Sequence, residues 1–216
     1  ENGYAIGKEL ANIERFRDMG VCYITLCHNG DNDICDSARK TKHEHNGLSD
    51  FGREVVREMN RLGVMVDISH AAVSTVRDVL QISSAPVVAS HSSSRALCNH
   101  TRNLTDEDAL AIARSGGVVQ VCLYAGFISE QEEEASVQHA ADHIDHFVRL
   151  LGIEHVGIGS DFDGDGELVG CRGANDLINL TVELLRRGYT RDQLGLLWGE
   201  NFLRVMQNVQ QKAKCQ

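Results

Sequence analysis

Hydrophobic residues along the chain alternate between two patterns. One has the helical period, as at Phe51, Val55, Met59 and Leu62, and the other is a short unbroken run, as from Val64 to Ile68. An unbroken apolar run is typical of a strand buried on both faces, whereas helical spacing predicts an amphipathic helix. Because each helix is followed by a run, the pattern predicts repeated helix and strand pairs.

This pattern predicts five strands, which span residues 21–26, 64–68, 87–89, 118–124 and 156–159. Helical segments connect all of them, and no hairpin signal separates any two. Strands connected through helices are parallel, and polar residues follow their carboxyl ends. The sequence therefore predicts an α/β fold with a parallel sheet, either a barrel or an open sheet, with a functional site at the carboxyl edge.

Composition narrows the class of protein. The 216 residues are 42% hydrophobic and 24% charged, and their formal net charge is −10. This charge, with no basic stripe along the chain, argues against a nucleic-acid partner. The longest apolar stretch, from Val121 to Ile128, is far shorter than the roughly 20 residues of a membrane-spanning helix. We expect a globular domain without a membrane span.

Cysteine content and the start of the sequence bear on location. The cysteine count of 7 is odd, and no close pairing of the zinc-ribbon kind occurs, so we interpret these residues mainly as reduced thiols in the core or at the surface. The sequence begins at Glu1 without a signal-like apolar region, and we expect the natural N-terminus to lie outside it. Cytoplasmic and periplasmic or secreted locations both stay open.

Two neighbouring strands are each closed by a histidine. His70 follows strand 64–68 and His91 follows strand 87–89, about one helix and strand repeat apart. Side by side at one sheet edge, two imidazoles can share one metal ion. Taken singly, each histidine is more commonly a hydrogen-bonded structural residue. Their equivalent positions favour the metal.

Acidic residues follow the last predicted strand. A carboxylate beside a metal can take a proton from water and return it to a leaving amine, so Asp161 is a candidate proton shuttle. The alternating aspartates of residues 161–165 also resemble the start of an EF-hand calcium loop. Calcium is the weaker interpretation, because Arg172 stands where that loop requires Glu and a strand precedes it.

Two further residues are candidates for substrate contacts. His28 closes the first strand and can donate a hydrogen bond to a developing oxyanion, while Arg102 can pair with a substrate carboxylate. A turn contact for His28 and a surface ion pair for Arg102 are the simpler alternatives. The residues alone leave both interpretations open.

Several motifs in order along the whole chain resemble the membrane dipeptidase (renal dipeptidase) family of zinc peptidases, an amidohydrolase-like family. They are Ile24-Thr-Leu-Cys-His28, Gly47-Leu-Ser-Asp-Phe-Gly52, Arg61-Leu-Gly-Val, Val66-Asp-Ile-Ser-His70, Ser90-His91-Ser-Ser, Arg102-Asn103, Gly159-Ser-Asp-Phe-Asp-Gly164 and Asn201-Phe-Leu-Arg-Val205. The resemblance implies a (β/α)₈ TIM barrel of the metal-dependent hydrolase type that hydrolyses dipeptides, with a homodimer as a possible assembly.

The resemblance also implies roles for individual residues. Two Zn²⁺ ions would share a glutamate and a hydroxide, and Glu1, in Glu1-Asn-Gly3, would be the bridging ligand. His70 and His91 would complete one zinc site. The remaining roles concern the substrate and the proton: His28 would steady the scissile carbonyl, Arg102 would hold the terminal carboxylate, and Asp161 would bind substrate and transfer protons.

One part of the family pattern is missing. The His-x-Asp motif of the first barrel strand, which supplies the other zinc ligands, does not occur. We therefore expect residues 1–216 to form a single partial barrel domain made of the later strands. The alternatives are a related hydrolase acting on a lactone, cyclic amide or phosphoester, and a non-catalytic binding or scaffold fragment; Arg102 disfavours substrates without an anion.

Overall fold

The computed structural model describes residues 1–215, in which strands and helices alternate along the chain. The strands are β1 (Tyr23–Thr25), β2 (Met65–Asp67), β3 (Val87–Ala89), β4 (Val118–Cys122) and β5 (Val156–Gly159). The α-helices are α1 (Ala11–Asp18), α2 (Asp50–Leu62), α3 (Val73–Ile82), α4 (Asp106–Arg114), α5 (Ala125–Ile128), α6 (Val137–Leu151), α7 (Leu177–Arg186), α8 (Arg191–Gly195) and α9 (Asn201–Lys214).

All five predicted strands are present. Those at residues 87–89 and 156–159 have the predicted bounds, and the first two are shorter at both ends than predicted. The prediction of a strand over residues 118–124 is wrong at its end. The strand stops at Cys122, and Tyr124 instead adopts an extended conformation as the N-cap of α5.

The chain divides into two compact units. The first comprises residues 1–89, 114–117 and the chain from Leu203 onward, and the second comprises residues 90–113 and 118–202. In the first unit β1 pairs with β2 and β2 with β3, all parallel. In the second unit β4 and β5 are parallel, with Cys122 opposite Gly159. The single-domain prediction stays a prediction.

Helix α2 supplies much of the core of the first unit. Its N-cap is Ser49, whose side chain accepts a hydrogen bond from the Gly52 N–H, and Gly63 ends it with φ 73°. The inward positions Val55, Val56 and Met59 are fully buried. Each such side chain contributes about 1.5–3 kcal/mol through removal of apolar surface from water. Burial of the apolar face that the helical period predicts therefore stabilises the packing of α2.

Helices α6 and α7 cover the second unit and are joined by one arginine. Arg187 Nη1 lies 2.6 Å from Asp142 Oδ1 and 2.7 Å from Asp145 Oδ2, while its Nε lies 2.9 Å from Glu183 Oε1. A half-buried arginine shared by three carboxylates holds one geometry better than a single exposed ion pair does. Thr190 and Gln193 form a capping box at the start of α8.

All seven cysteines of residues 1–215 are free, and five of them are buried: Cys27, Cys35, Cys98, Cys122 and Cys171. This matches the interpretation of reduced thiols. Within the same residues, every helix is too short or too polar to cross a membrane.

Candidate functional site

Glu1, His28 and His70 meet in the first unit. Their potential ligand atoms all lie within 4.8 Å of one another. Glu1 Oε1 is 2.6 Å from His70 Nε2 and 3.9 Å from His28 Nε2. The two imidazole centroids are 4.5 Å apart. A carboxylate with two imidazoles is a donor set that suits zinc, so these side chains fit a metal ion.

The position of Glu1 depends on a close backbone approach. Residues Gly3–Ile6 form a 3₁₀ turn, which follows Asn2 in a left-handed conformation. A Cβ on Gly3 would lie 2.7 Å from the carbonyl oxygen of Leu26, just past β1. Only glycine lets the N-terminal segment lie this close to the end of β1. The glycine of the Glu1-Asn-Gly3 motif thus brings Glu1 to the carboxyl edge.

His70 is held in an unusual conformation by the turn that follows β2. Its φ is 68°, and its carbonyl accepts a hydrogen bond from the Ala38 N–H at 2.8 Å. The buried Asp67 orders the turn, because its carboxylate accepts hydrogen bonds from the Ser69 N–H and the Thr25 hydroxyl. Positive φ in a non-glycine residue costs free energy and persists where surrounding contacts fix it.

A second group of potential ligands, which the sequence analysis did not single out, lies in the same unit. It consists of Asp31, Asp36 and His43. The Asp36 carboxylate is fully buried and accepts hydrogen bonds from the backbone N–H groups of Glu44, His45 and Gly47. Asp31 in turn accepts from the Ser37 N–H, and the Ser37 hydroxyl donates to the His28 carbonyl at 2.6 Å. These carboxylates therefore build the loop that carries His28.

His91 and Arg102 are in contact in the second unit. A 2.7 Å hydrogen bond joins His91 Nδ1 to the Ser90 hydroxyl, which fixes the ring. Arg102 Nη2 donates to the His91 carbonyl at 3.4 Å, and the guanidinium lies 5.2 Å from the centre of the Phe127 ring. Arg102 is only 3% exposed, so the surface ion pair considered as an alternative is wrong.

The loop of Arg102 is fastened by two buried side chains. Asn103 donates to the carbonyl groups of Cys98 and Phe127 and accepts from the Ser93 N–H. His143 accepts from the Ser94 N–H at Nδ1, and its Nε2 lies 3.0 Å from the Ile128 carbonyl. Burial lowers the pKa of His143 to about 4. A neutral ring, protonated at Nε2, satisfies both contacts at once.

Asp161 lies two residues beyond β5 in a left-handed conformation, with φ 59°. Its carboxylate accepts a hydrogen bond from the Cys122 thiol, with Sγ 3.5 Å from Oδ2. The prediction that a strand rather than a helix precedes this loop is confirmed. Among the described residues, the clusters of three or more ligand-capable side chains within 4.8 Å of one another do not include the aspartates of residues 161–165.

The model of the family named Membrane dipeptidase (Peptidase family M19) matches residues 1–216. The chain belongs to this family. Among curated members, the dipeptidase aclJ of Aspergillus oryzae is 38% identical over 99% of the chain and 51% of its own length. An uncharacterized dipeptidase of Schizosaccharomyces pombe is 40% identical over 89% of the chain and 48% of its own length. The chain thus spans about half the length of these M19 relatives.

Solved structures of similar proteins give the same result for the fold. The probable dipeptidase PvdM of Pseudomonas aeruginosa superposes with a TM-score of 0.93 at 29% identity, covering 98% of the chain and 68% of that protein. A metallopeptidase of Rhodobacter sphaeroides, liganded with a phosphinate mimic of the dipeptide L-Ala-D-Ala, gives 0.90 at 30% identity, covering 97% and 62%. The predicted α/β fold of the barrel type is confirmed, and membership of a metallopeptidase family implies a metal cofactor.

Proposed function

We propose that the protein is a zinc-dependent dipeptidase that binds two zinc ions in its complete active site. The observation that carries this proposal is the Glu1, His28 and His70 group, whose ligand atoms lie within 4.8 Å of one another in a chain of the M19 family. We assign the metal-ligand role to Glu1, His70 and His91. Residues 1–216 would form one catalytic domain, and a homodimer is the proposed assembly.

Zinc, when bound, supplies electrophilic polarisation of the scissile carbonyl and a water of lowered pKa. The chain's own residues do the rest. His28, which is 45% exposed on its side chain, is accessible to substrate and can donate a hydrogen bond to the carbonyl oxygen as negative charge develops there. The same imidazole is close enough to Glu1 to contribute a ligand atom to a metal.

Arg102 is the residue proposed to bind the free carboxylate of the dipeptide. Its buried guanidinium is oriented by the His91 carbonyl and the face of Phe127. A planar guanidinium binds a carboxylate through two parallel hydrogen bonds, which fixes the distance from the terminal carboxylate to the scissile bond. This preference for an anionic C-terminus favours dipeptides over neutral lactones or cyclic amides.

Asp161 is the residue proposed to move the proton. Its carboxylate takes a proton from the attacking water as the C–O bond forms, and it delivers that proton to the nitrogen as the C–N bond breaks. The products are two free amino acids. Atoms and charge balance without any further reactant.

The test is made on the full-length protein. We expect elemental analysis to give about two equivalents of zinc. We also expect turnover of simple dipeptides, measured by the release of free amino acids. His70→Ala should lose zinc and turnover, while His155→Ala, which alters the residue just before β5, should keep both. Two equivalents of zinc without any dipeptide hydrolysis would contradict the peptidase proposal and leave the metal site standing. Size-exclusion chromatography with light scattering tests the dimer.

A further inference from the structure

A buried cysteine faces the proposed proton-transfer residue. Cys122 is the last residue of β4, is fully buried, and pairs in register with Gly159 of β5. Two residues after Gly159 comes Asp161, whose Oδ2 receives the Cys122 Sγ–H at 3.5 Å. This is an ordinary length for a thiol hydrogen bond, which is longer than an oxygen one because sulfur is larger. The parallel register of two strands thus sets the contact.

The Cys122 thiol is a permanent donor at this position. Burial raises the pKa of Cys122 far above its ordinary range, and the negative charge of Asp161 adds to this effect. The thiol therefore keeps its proton at any pH at which the protein works. A group that never ionises can donate to the carboxylate continuously without competing for the transferred proton.

The backbone of Asp161 is fixed independently of its side chain. The Asp161 carbonyl accepts the N–H groups of Gly164 and Gly166 at 3.0 and 2.8 Å, which fixes the left-handed backbone. A Cβ on Gly164 would lie 2.8 Å from Asp161 Oδ1, so the glycine leaves space on that side of the carboxylate. The backbone bonds set where the side chain starts, and the thiol selects the direction of its carboxylate.

We propose that Cys122 is a positioning residue for Asp161: its thiol binds Oδ2 and leaves Oδ1 as the oxygen that accepts and returns the proton. This proposal rests on the proposed peptidase function. No covalent or redox step involves the sulfur. In the reaction, Oδ1 takes the proton of the attacking water and releases it to the leaving amine, and the S–H bond stays intact throughout.

The experiment compares Cys122→Ala with Cys122→Ser in the full-length enzyme loaded with zinc. We expect Cys122→Ala to lower kcat about tenfold with KM within about twofold, the size expected for one lost hydrogen bond to a charged group. The split between a lowered kcat and an unchanged KM separates loss of positioning from loss of substrate binding. The serine hydroxyl should restore kcat to within about threefold.

The matched control is Cys171→Ala, which removes another buried thiol of the same unit that lies 3.9 Å from the Gly173 carbonyl and not against Asp161. It should leave kcat and KM unchanged. If the alanine variant does not fold, Cys122→Val fills the space without donating and should show the same loss. A kcat for Ala or Val equal to that of wild type, or a serine variant no better than alanine, overturns the positioning role.

Failure of the wider function is seen separately. If the zinc-loaded wild type hydrolyses no dipeptide, the proposed function fails before Cys122 is tested. If wild type is active but Asp161→Asn is equally active, the proton-transfer role of Asp161 is wrong, and the positioning role of Cys122 falls with it. Loss of activity in Asp161→Asn with an unaltered Cys122→Ala overturns the inference about the thiol alone.

Discussion

At the residue scale, two candidate site residues have backbone conformations that L-amino acids rarely adopt. His70 has φ 68° and Asp161 has φ 59°. Each such conformation costs on the order of 1–2 kcal/mol, and each is held by hydrogen bonds to the residue's own carbonyl, from Ala38 in one case and from Gly164 and Gly166 in the other. Strained backbone at strand-end residues with potential ligand or acidic side chains favours a functional role over a stabilising one.

The proton-transfer role predicts the behaviour of Asp161→Asn. The amide has nearly the same shape but cannot accept a proton, so we expect kcat to fall by about 10²–10⁴-fold, the usual contribution of a general acid and base. Zinc content should stay at the wild-type level, measured by elemental analysis of the same sample. Unchanged turnover would remove Asp161 from the mechanism, and Asp163→Asn, whose aspartate is the next along this loop, is the matched control.

His143 predicts a specific pH dependence of stability. Burial is the largest effect on its pKa and lowers it to about 4, although the hydrogen bond to the Ile128 carbonyl acts in the opposite direction. The unfolded chain, with a histidine pKa of about 6.5, binds this proton more readily than the folded protein does. The contribution of His143 to the free energy of unfolding is therefore fully present above about pH 6.5. It falls by roughly 3 kcal/mol in total as the pH drops toward 4.

The measurement is urea unfolding of wild type and His143→Gln between pH 4 and 8. The glutamine keeps a donor toward Ile128 but cannot be charged, so its free energy of unfolding should lose less between pH 6.5 and 4 than that of wild type. His139→Gln, which alters a less buried histidine of the same helix, should keep the wild-type slope. Parallel curves for wild type and His143→Gln would show that this ring does not set the acid stability.

At the element scale, the placement of the proposed metal ligand Glu1 depends on how closely the N-terminal segment approaches the end of β1. A methyl group on Gly3 would lie 2.7 Å from the Leu26 carbonyl, which is backbone and has little freedom to move. Gly3→Ala should therefore displace Glu1 from His70 and weaken zinc binding at least tenfold, as measured by competition with a chelating dye. Gly199→Ala, where a Cβ meets nothing within 4 Å, should bind zinc as wild type does.

The strands and the residues at their ends could be predicted from the sequence because both depend on local hydrophobic pattern. An unbroken apolar run fixes a buried strand, and His70, His91 and Asp161 follow such runs directly. The close approach at Gly3 and the thiol contact of Cys122 could not be predicted, since each joins segments that are separated along the chain. The group around Asp36 was missed because its carboxylate is satisfied by backbone N–H groups, which leave no side-chain pattern in the sequence.

At the scale of the whole molecule, the described chain holds one carboxylate and two imidazoles in a metal-ligand arrangement and places an oriented arginine and an oriented aspartate after other strands. Each unit contains its own hydrogen-bond network around its candidate residues: Asp36 and Asp67 in the first, Asn103 and His143 in the second. The chain spans about half the length of its curated M19 relatives. Activity is therefore a property to be measured on the full-length protein.

Metal removal tests how far the ligands contribute to stability as well as to chemistry. Glu1 and His70 lie at opposite ends of a long stretch of the first unit, so a metal that joins them restrains the folded state and not the unfolded chain. With free zinc at about a thousand times its dissociation constant, binding should stabilise the protein by roughly 4 kcal/mol. We expect chelation of the full-length protein to lower Tm and abolish dipeptide hydrolysis, and zinc addition to restore both.

His70→Ala should already have the lower Tm and should gain much less from zinc. If chelation lowers Tm equally in wild type and His70→Ala, the metal that stabilises the fold lies elsewhere than at Glu1 and His70.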